Sequence, residues 1–465
     1  MNQIIMYGSA IVSVVLIIVM MIKKMDIKIT LFGIGTLLMY IALAMGNSIA
    51  IKDFAGTGMV WLDPLKAVMD QFKIVLPKAG FIILILGGYS AYMSAIGAND
   101  TTVQTLTKPI KRIKSVYILV PIVFLIGNML SLVVPSASNL AIILLATLYP
   151  VLRQSGMSTL TAAAVIATTA TIMPTPLGGD NVAMAAELAK YPEFAGLTVT
   201  DYVIRYHAII SVPAMLIMAA VHFFWQMFQD KKHPAEADSE IQSEEVAEIE
   251  GGILLKTVYT ILPILPIVLL VVFYLMKVQL SVEVATLISF IAAIVCELIR
   301  KRNGAAVLKE TEQFFKGMGN TIPIVALLVA AGVFVLGLNS IGMISSLKEM
   351  MLGMQGSGMG FVLPLVMVGL TILIVLLSGS GVALFYAMVP LMVPLAAAAG
   401  ISPITLSIPM GLVGNLMRAV SPVSAVVCIV AGSAKVTPLE IVKRTAVPMI
   451  AGTIYTVVMS LVLFL

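Results

Sequence analysis

Charge is what this sequence has least of. Among 465 residues there are 28 basic and 23 acidic side chains, 11% of the chain, against 60% hydrophobic residues. Mean hydropathy is +1.08. A water-facing globule needs far more charge, so a soluble protein is excluded. Cysteine is almost missing: Cys296 and Cys428 both sit in apolar runs, which excludes a disulfide scaffold. The three histidines form no His-x-x-x-His pair, which argues against a zinc protease. There is no Gly-x-x-x-x-Gly-Lys-Ser/Thr loop and no polar domain that could hold nucleotide, which argues against an ATP-driven pump. An intramembrane aspartyl protease needs two embedded aspartates. Here Leu177 stands where the Gly-x-Gly-Asp signature needs glycine, and no Asp other than Asp180 is embedded. The charged rings or filter repeats of a channel are missing too. The chain is therefore read as a non-enzyme.

What the sequence does have is long, continuous apolar runs, enough for roughly ten membrane helices of about 20 residues. They do not alternate as the strands of a β-barrel would. In the first half the runs are 4–22, 29–45, 79–96, 116–134, 140–152, 160–172, 182–189 and 203–228. No basic residue precedes the first run, so it is read as a retained span rather than a cleaved signal. Residues 47–78 are mixed in polarity and predict a loop with an amphipathic helix. Residues 229–252 are polar, with seven acids between Glu236 and Glu250, which predicts a solvated linker. The second half holds 259–276, 282–299, 321–338, 361–377, 383–399, 404–416, 424–432 and 445–465. The expected domains are thus 1–228, a linker 229–252, and 253–465.

The halves repeat each other in sequence. Ser94-Ala-Ile-Gly97 matches Ser340-Ile-Gly342, and Tyr149-Pro150 with Ser158 matches Val393-Pro394 with Ser402. Thr175-Pro176 matches Ser421-Pro422, the stretch from Thr200 to Arg205 matches Thr437 to Arg444, and Val212-Pro213 matches Val447-Pro448. Five matches in order indicate an internal repeat. Placing the basic loops in the cytoplasm puts nineteen of the 28 basic residues inside and both termini outside. Net charge of +5 follows from this loop bias and does not call for nucleic acid. Each half then needs five spans plus one segment pair that returns to its own side. Five is odd, so the halves insert with opposite orientation, as in carriers built from inverted repeats. The expected fold is an all-α integral membrane protein of two inverted-topology repeats, each with about five spans, a re-entrant helical hairpin and a discontinuous helix.

The returning pairs are 116–152 and 361–399. The arm 140–152 makes only about 20 Å of helix against an apolar core of about 30 Å. The tips are small and uncharged: Pro135-Ser-Ala-Ser-Asn139 and Ser378-Gly-Ser-Gly381. Re-entrant tips need such residues, because their backbone must be satisfied inside the protein. After each pair comes a Pro- and Gly-containing stretch, residues 173–181 and 414–422, expected to be unwound. Unwound carbonyls bind cations and half-helix N-termini attract anions. The two tips and two breaks are expected to converge.

Two charges lie in the breaks, Asp180 and Arg418. Each is costly in lipid, about 2.5–3.5 kcal/mol on insertion scales, so each is a candidate functional residue. The planar fork of Arg418 suits a substrate carboxylate. The plainer alternative is a structural Arg418–Asp180 pair. Candidate substrate-binding residues are Ser136, Ser138, Asn139, Asn181, Ser378, Gly379, Ser380, Gly381, Asn415, Arg418 and Ser421. Candidate ion-coupling residues are Asp180, Asn181 and Thr175, with a proton, or a sodium ion near Asn139 and Asp180, as the coupled species. No organic cofactor and no bound metal beyond that are expected. Glu187 is placed near an aqueous end and His207 at a helix interface.

Several stretches resemble the anaerobic C4-dicarboxylate carrier family of the DcuC type. They are Gly87 to Asp100, Leu145 to Pro150, Ser378 to Ala387, Asn415-Leu-Met-Arg-Ala-Val-Ser-Pro-Val-Ser424, and Gly432 to Pro448. The resemblance covers nearly the whole chain. It implies a bacterial inner-membrane secondary transporter of the ion-transporter superfamily, a homodimer with a scaffold and an elevator-like moving domain. It implies succinate, fumarate and related dicarboxylates as substrates, taken up, exchanged or exported. Two positions depart from the family pattern: Val382 replaces an Asn after the second tip, and Asn139 replaces a small residue in the first. The alternatives are a carrier of another small organic anion (a monocarboxylate or amino acid) and a sodium/proton antiporter.

Overall fold

The computed structural model describes residues 2–23, 25–51, 54–108, 115–232, 253–346 and 360–465. Most of the expected acidic linker (233–252) and the basic residues Lys111, Arg112 and Lys114 lie outside them. Among the described residues every regular element is helical.

The first half runs α1 (Asn2–Ile22), α2 (Ile27–Ala44), α3 (Asp63–Val75), α4 (Phe81–Ala95), α5 (Ala98–Thr107) and α6 (Val116–Leu130). It continues with α7 (Ala137–Thr147), α8 (Tyr149–Gln154), α9 (Thr159–Ala167), α10 (Gly179–Leu188), α11 (Val199–Tyr202) and α12 (Ala208–Lys232). The second half runs α13 (Ile253–Ile261), α14 (Leu265–Leu275), α15 (Val282–Lys301), α16 (Gly304–Glu310) and α17 (Glu312–Ser340). After it come α18 (Val362–Ser378), α19 (Gly381–Ala399), α20 (Ile404–Arg418), α21 (Ala425–Ala434) and α22 (Pro438–Phe464).

Among the described residues, six helical runs are long and apolar enough to cross a membrane, seven if the α4–α5 pair, bent by 72°, is one span. α1, α6, α7, α18, α19 and α21 supply shorter apolar helical segments. The outer helices turn large apolar side chains away from the protein. On α22 these are Ile450, Ile454, Val458 and Val462, four residues apart and therefore on one face. Such a face suits lipid tails. The interior helices differ: α9 and α20 are buried along nearly their whole length. α17 is wedged between α2 and α4 so closely that a Cβ on Gly35 would lie 2.7 Å from the Phe334 backbone. Small residues permit that approach, and tight packing is what holds helices together in lipid.

The helix ends differ from the sequence expectations in informative ways. The run 79–96 does not end in a loop: Gly97, at φ +76°, turns the chain into α5, where Asn99, Thr101 and Thr102 are buried. The arm 140–152 is not one helix; it breaks at Leu148, and α8 follows from Tyr149 with Pro150 in its first turn. The run 203–228 starts earlier and carries a π-helical turn, Val203–His207, before α12 continues to Lys232, past the expected start of the linker. α22 likewise starts at Pro438 rather than near 445. Both long helices open with a capping box: Thr198 with Asp201, and Thr437 with Glu440. In a capping box each side chain satisfies a backbone N–H that the first turn leaves free. The residue chemically equivalent to Thr437 is therefore Thr198, not Thr200. The expected amphipathic helix within 47–78 is α3, whose most exposed side chains are Leu65, Met69, Lys73 and Ile74, while Asp63, Lys66 and Asp70 are half-buried.

Both breaks shift from their expected positions. The first opens at Thr168 and closes at Gly178, and the second spans only 419–424. Asp180 and Asn181 thus sit in the first turn of α10, and Asn415 and Arg418 in the last turns of α20. The cause is the helix dipole: an acid is stabilised at a helix N-terminus and a base at a C-terminus. Pro422 disfavours helix at Ser421, so α20 stops just after Arg418.

Candidate functional site

The end of α20 faces the first break. The Nη2 of Arg418 donates to the carbonyl of Ala170, an unwound residue of that break. One turn earlier, Asn415 Nδ2 donates to Asp180 Oδ2 at 3.3 Å. Asp180 Oδ1 accepts the N–H of Asn181 at 2.9 Å, as an acid in a first turn can. Asn181 is buried and donates to the Thr175 carbonyl at 2.9 Å, while the Thr175 hydroxyl accepts the Leu177 N–H at 3.1 Å. Arg418 and Asp180 therefore do not form a direct pair. Asn415 reaches the acid, and the guanidinium keeps donors in excess of the single carbonyl it holds. The Asp180 carboxylate is within electrostatic reach of Arg418, His207, Tyr202 and Tyr386.

The second tip seats directly on the second break. Gly379 has φ +76°, and a Cβ there would lie 2.8 Å from the Val423 carbonyl oxygen. A Cβ on Gly381 would lie 2.1 Å from the Gly414 carbonyl oxygen. Ser378 Oγ accepts the Ser380 N–H at 3.3 Å, which folds the tip on itself. Ser421 is buried and donates to the Leu376 carbonyl at 2.9 Å, so its hydroxyl ties the break to α18. The side chain of Val382 lies outside the described residues.

The first tip is separate. Ser136 caps α7 and accepts the Asn139 N–H at 3.4 Å; Ser138 is half-buried and Asn139 is exposed. Among the described residues no hydrogen bond connects Ser136, Ser138 or Asn139 with Asp180, Asn415 or Arg418. Among the same residues no group of three His, Cys, Asp or Glu side chains could hold a metal ion. Glu187 pairs with Lys190 at 2.5 Å, and His207 is buried with its Nδ1 3.0 Å from Ser211 Oγ.

Sequence reasoning missed Asn128. It is fully buried on α6, donates to the carbonyls of Phe124 (2.9 Å) and Thr168 (3.1 Å), and accepts from the N–H (3.0 Å) and hydroxyl (2.8 Å) of Thr171. Three of these four bonds reach the first break and hold it open. The signal was present: a lone amide inside an apolar run is costly unless satisfied. Tyr386 was missed as well; its hydroxyl would lie 2.6 Å from a Cβ on Gly179.

Broken helices facing each other at a half-buried acid, amide and guanidinium, within a chain that is mostly membrane helix, define a membrane transporter. The solved structures agree on the fold. The Alcanivorax borkumensis YdaH transporter superposes with a TM-score of 0.67 at 17% identity, covering 93% of this chain and 97% of that one. MtrF of Neisseria gonorrhoeae, described among antimetabolite efflux pumps, superposes with a TM-score of 0.64 at 15% identity, covering 93% and 94%.

The particular family is also clear. The model of the C4-dicarboxylate anaerobic carrier family, DcuC, matches residues 6–465, and the chain belongs to that family. The anaerobic C4-dicarboxylate transporter DcuC of Escherichia coli K12 is 37% identical over 434 residues, 92% of this chain and 90% of that protein. The probable anaerobic C4-dicarboxylate transporter DcuC of Vibrio cholerae is 35% identical over 92% of this chain and 91% of its own length. The chain is thus a multi-pass membrane transporter and not an enzyme.

Proposed function

We propose that this protein is a secondary active carrier of C4-dicarboxylates such as succinate and fumarate, working by alternating access. The observation that carries the reading is Arg418, half-buried at the end of α20, with its guanidinium on a backbone carbonyl instead of on an acid. A substrate carboxylate is a far better acceptor for that fork than a neutral carbonyl. Asn415, Asn181 and the Ser378–Gly381 tip supply neutral donors around it. Asp180 is the coupling group, taking a proton or facing a sodium ion beside the unwound carbonyls of the first break.

The finer architecture belongs to the same proposal. The α6–α7 and α18–α19 pairs are the two re-entrant hairpins, and the halves are inverted repeats. The block carrying both breaks moves against the α2–α4–α17 block in an elevator-like step, in a homodimer in the bacterial inner membrane, with both termini outside. Uptake, exchange and efflux are three directions of one cycle.

Counterflow in proteoliposomes tests this. Vesicles loaded with succinate should accumulate labelled succinate, competed by fumarate, malate and the amino-substituted four-carbon dicarboxylate aspartate but not by lactate or citrate, with and without sodium. Arg418→Gln should fold and lose this uptake, by at least about tenfold. Folded protein that shows no succinate counterflow, or an Arg418→Gln variant that transports normally, would overturn the reading. Competition by lactate would redirect it to another small organic anion. Sodium/proton exchange that needs Asp180 but not Arg418 would make the protein an antiporter.

A further inference from the structure

Helices α9 and α12 pack antiparallel along a polar seam. Asp230, near the end of α12, accepts from Ser158 Oγ (2.8 Å) and Thr161 Oγ1 (2.9 Å) at the start of α9. His222, two turns back on the same face, has Nε2 3.2 Å from Thr168 Oγ1 at the end of α9. Gln226 lies between them, its Nε2 3.3 Å from His222 Nδ1. A third helix enters this seam. Arg444 of α22 pairs with Asp230 at 2.6 Å, the two side chains being only 5% and 10% exposed. Arg444 also donates to Gln226 Oε1 at 3.4 Å and accepts Gln226 Nε2 on its own carbonyl at 3.0 Å.

The next residue extends the connection. Thr445 is buried and donates to the carbonyl of Ala419 at 2.7 Å, the residue that follows Arg418. At the other end, Thr168 opens the first break, and two residues on is Ala170, whose carbonyl holds Arg418. The contacts close a ring: Arg418 to Ala170, back to Thr168, through His222, Gln226 and Arg444 to Thr445, and on to Ala419 beside Arg418.

We infer that Arg444 and Thr445 are positioning residues for Arg418, holding the two helix breaks at a fixed height relative to each other. The inference rests on the reading of Arg418 as the carboxylate-binding side chain. Apolar helix faces in lipid slide with little penalty, and hydrogen bonds across them set the register. A slip of one residue is about 1.5 Å along a helix, and a misplacement of about 1 Å at a binding geometry is costly. The ring uses a buried ion pair although apolar residues would pack as well, which fits a device that selects one arrangement.

Two variants of the full-length protein test the ring: Thr445→Val, and the neutral double variant Asp230→Asn with Arg444→Gln. The double variant avoids leaving a buried charge unpaired. Arg444→Gln alone leaves Asp230 unpaired and is expected to be lost from the membrane. Both test variants should reach the membrane in wild-type amounts. In counterflow the half-saturating succinate concentration should rise about tenfold while the maximal rate stays within about twofold. Amide hydrogen exchange without substrate should quicken in both 168–178 and 419–424. Wild-type half-saturation in both variants overturns the positioning role, whatever the exchange rates. Unchanged exchange in both breaks overturns it as well. If the wild-type protein shows no succinate counterflow, the reading of Arg418 falls, and the exchange rates alone decide the ring.

Discussion

The two helix breaks do similar work by different means. The first, 168–178, is long, holds Pro174 and Pro176, and is kept open from outside by the amide of Asn128. The second, 419–424, is short and is kept open by close approach of backbone: Gly379 and Gly381 of the tip lie against Val423 and Gly414. The lesson concerns where charge can live in a membrane. Neither Asp180 nor Arg418 stands in unwound chain. The acid occupies the N-terminal turn after the first break, and the base the C-terminal turn before the second, where helix dipoles lower the cost of each.

The contrast can be broken by substitutions that strike one mechanism and spare the other. Gly381→Ala should do the most damage, because its Cβ would lie 2.1 Å from a backbone oxygen that cannot yield. Overpacking against backbone is expected to cost about 3 kcal/mol or more, read as lost membrane-inserted protein or a large drop in thermal midpoint. Gly178→Ala is the matched control in the first break, since its nearest obstacle, at 2.7 Å, is the side-chain Oδ1 of Asp180. It should be milder for stability, and its harm should fall on transport. Equal loss of stability in the two would erase the distinction.

Asn128→Leu comes next. It removes four hydrogen bonds and strands the Thr168 carbonyl and the Thr171 groups, at about 2–3 kcal/mol. Exchange should quicken at 168–178 and stay unchanged at 419–424. Ser421→Ala should have the opposite localisation and a smaller cost, about 1 kcal/mol, since one hydroxyl bond to Leu376 is lost. If exchange quickens in the wrong break in either variant, the two are not independently held.

The smallest effect lies outside both breaks. On α3, Lys73 and then Lys66 hold the Asp70 carboxyl below the ordinary carboxylate range. Its folded pKa is lowered, so the stability it contributes is present above about pH 4 and is lost as pH falls through the folded value. Asp70→Asn should therefore flatten the acid limb of a thermal-midpoint profile slightly and leave the neutral limb unchanged. A change near pH 7 would mean that Asp70 acts through something other than these lysines.

Much of this was legible in the chain. Apolar run length located the membrane helices, Pro and Gly marked both breaks, Asp180 contacts Asn181 and Asn415, and the Ser378–Gly381 tip lies against Gly414 and Val423. Three things were not legible. The ends of helices depend on caps such as Thr198–Asp201, which act locally but whose register hydropathy does not reveal. Ser421 looked like a ligand group, yet its hydroxyl is used by Leu376, and only the fold decides which acceptor is near. Asn128 went unnoticed inside an apolar run because its partners, Thr168 and Thr171, lie some forty residues on.

The sequence by itself determined that the protein lives in a membrane and that very few polar groups are available for chemistry. Those follow from composition and order, because lipid admits few charges and only satisfied backbone. Only the tertiary structure decided which polar groups face one another: Arg418 on Ala170, Asn415 on Asp180, Arg444 on Asp230. Hydrogen bonds reach about 3 Å, and residues so far apart in the chain come within that reach only once helices have packed.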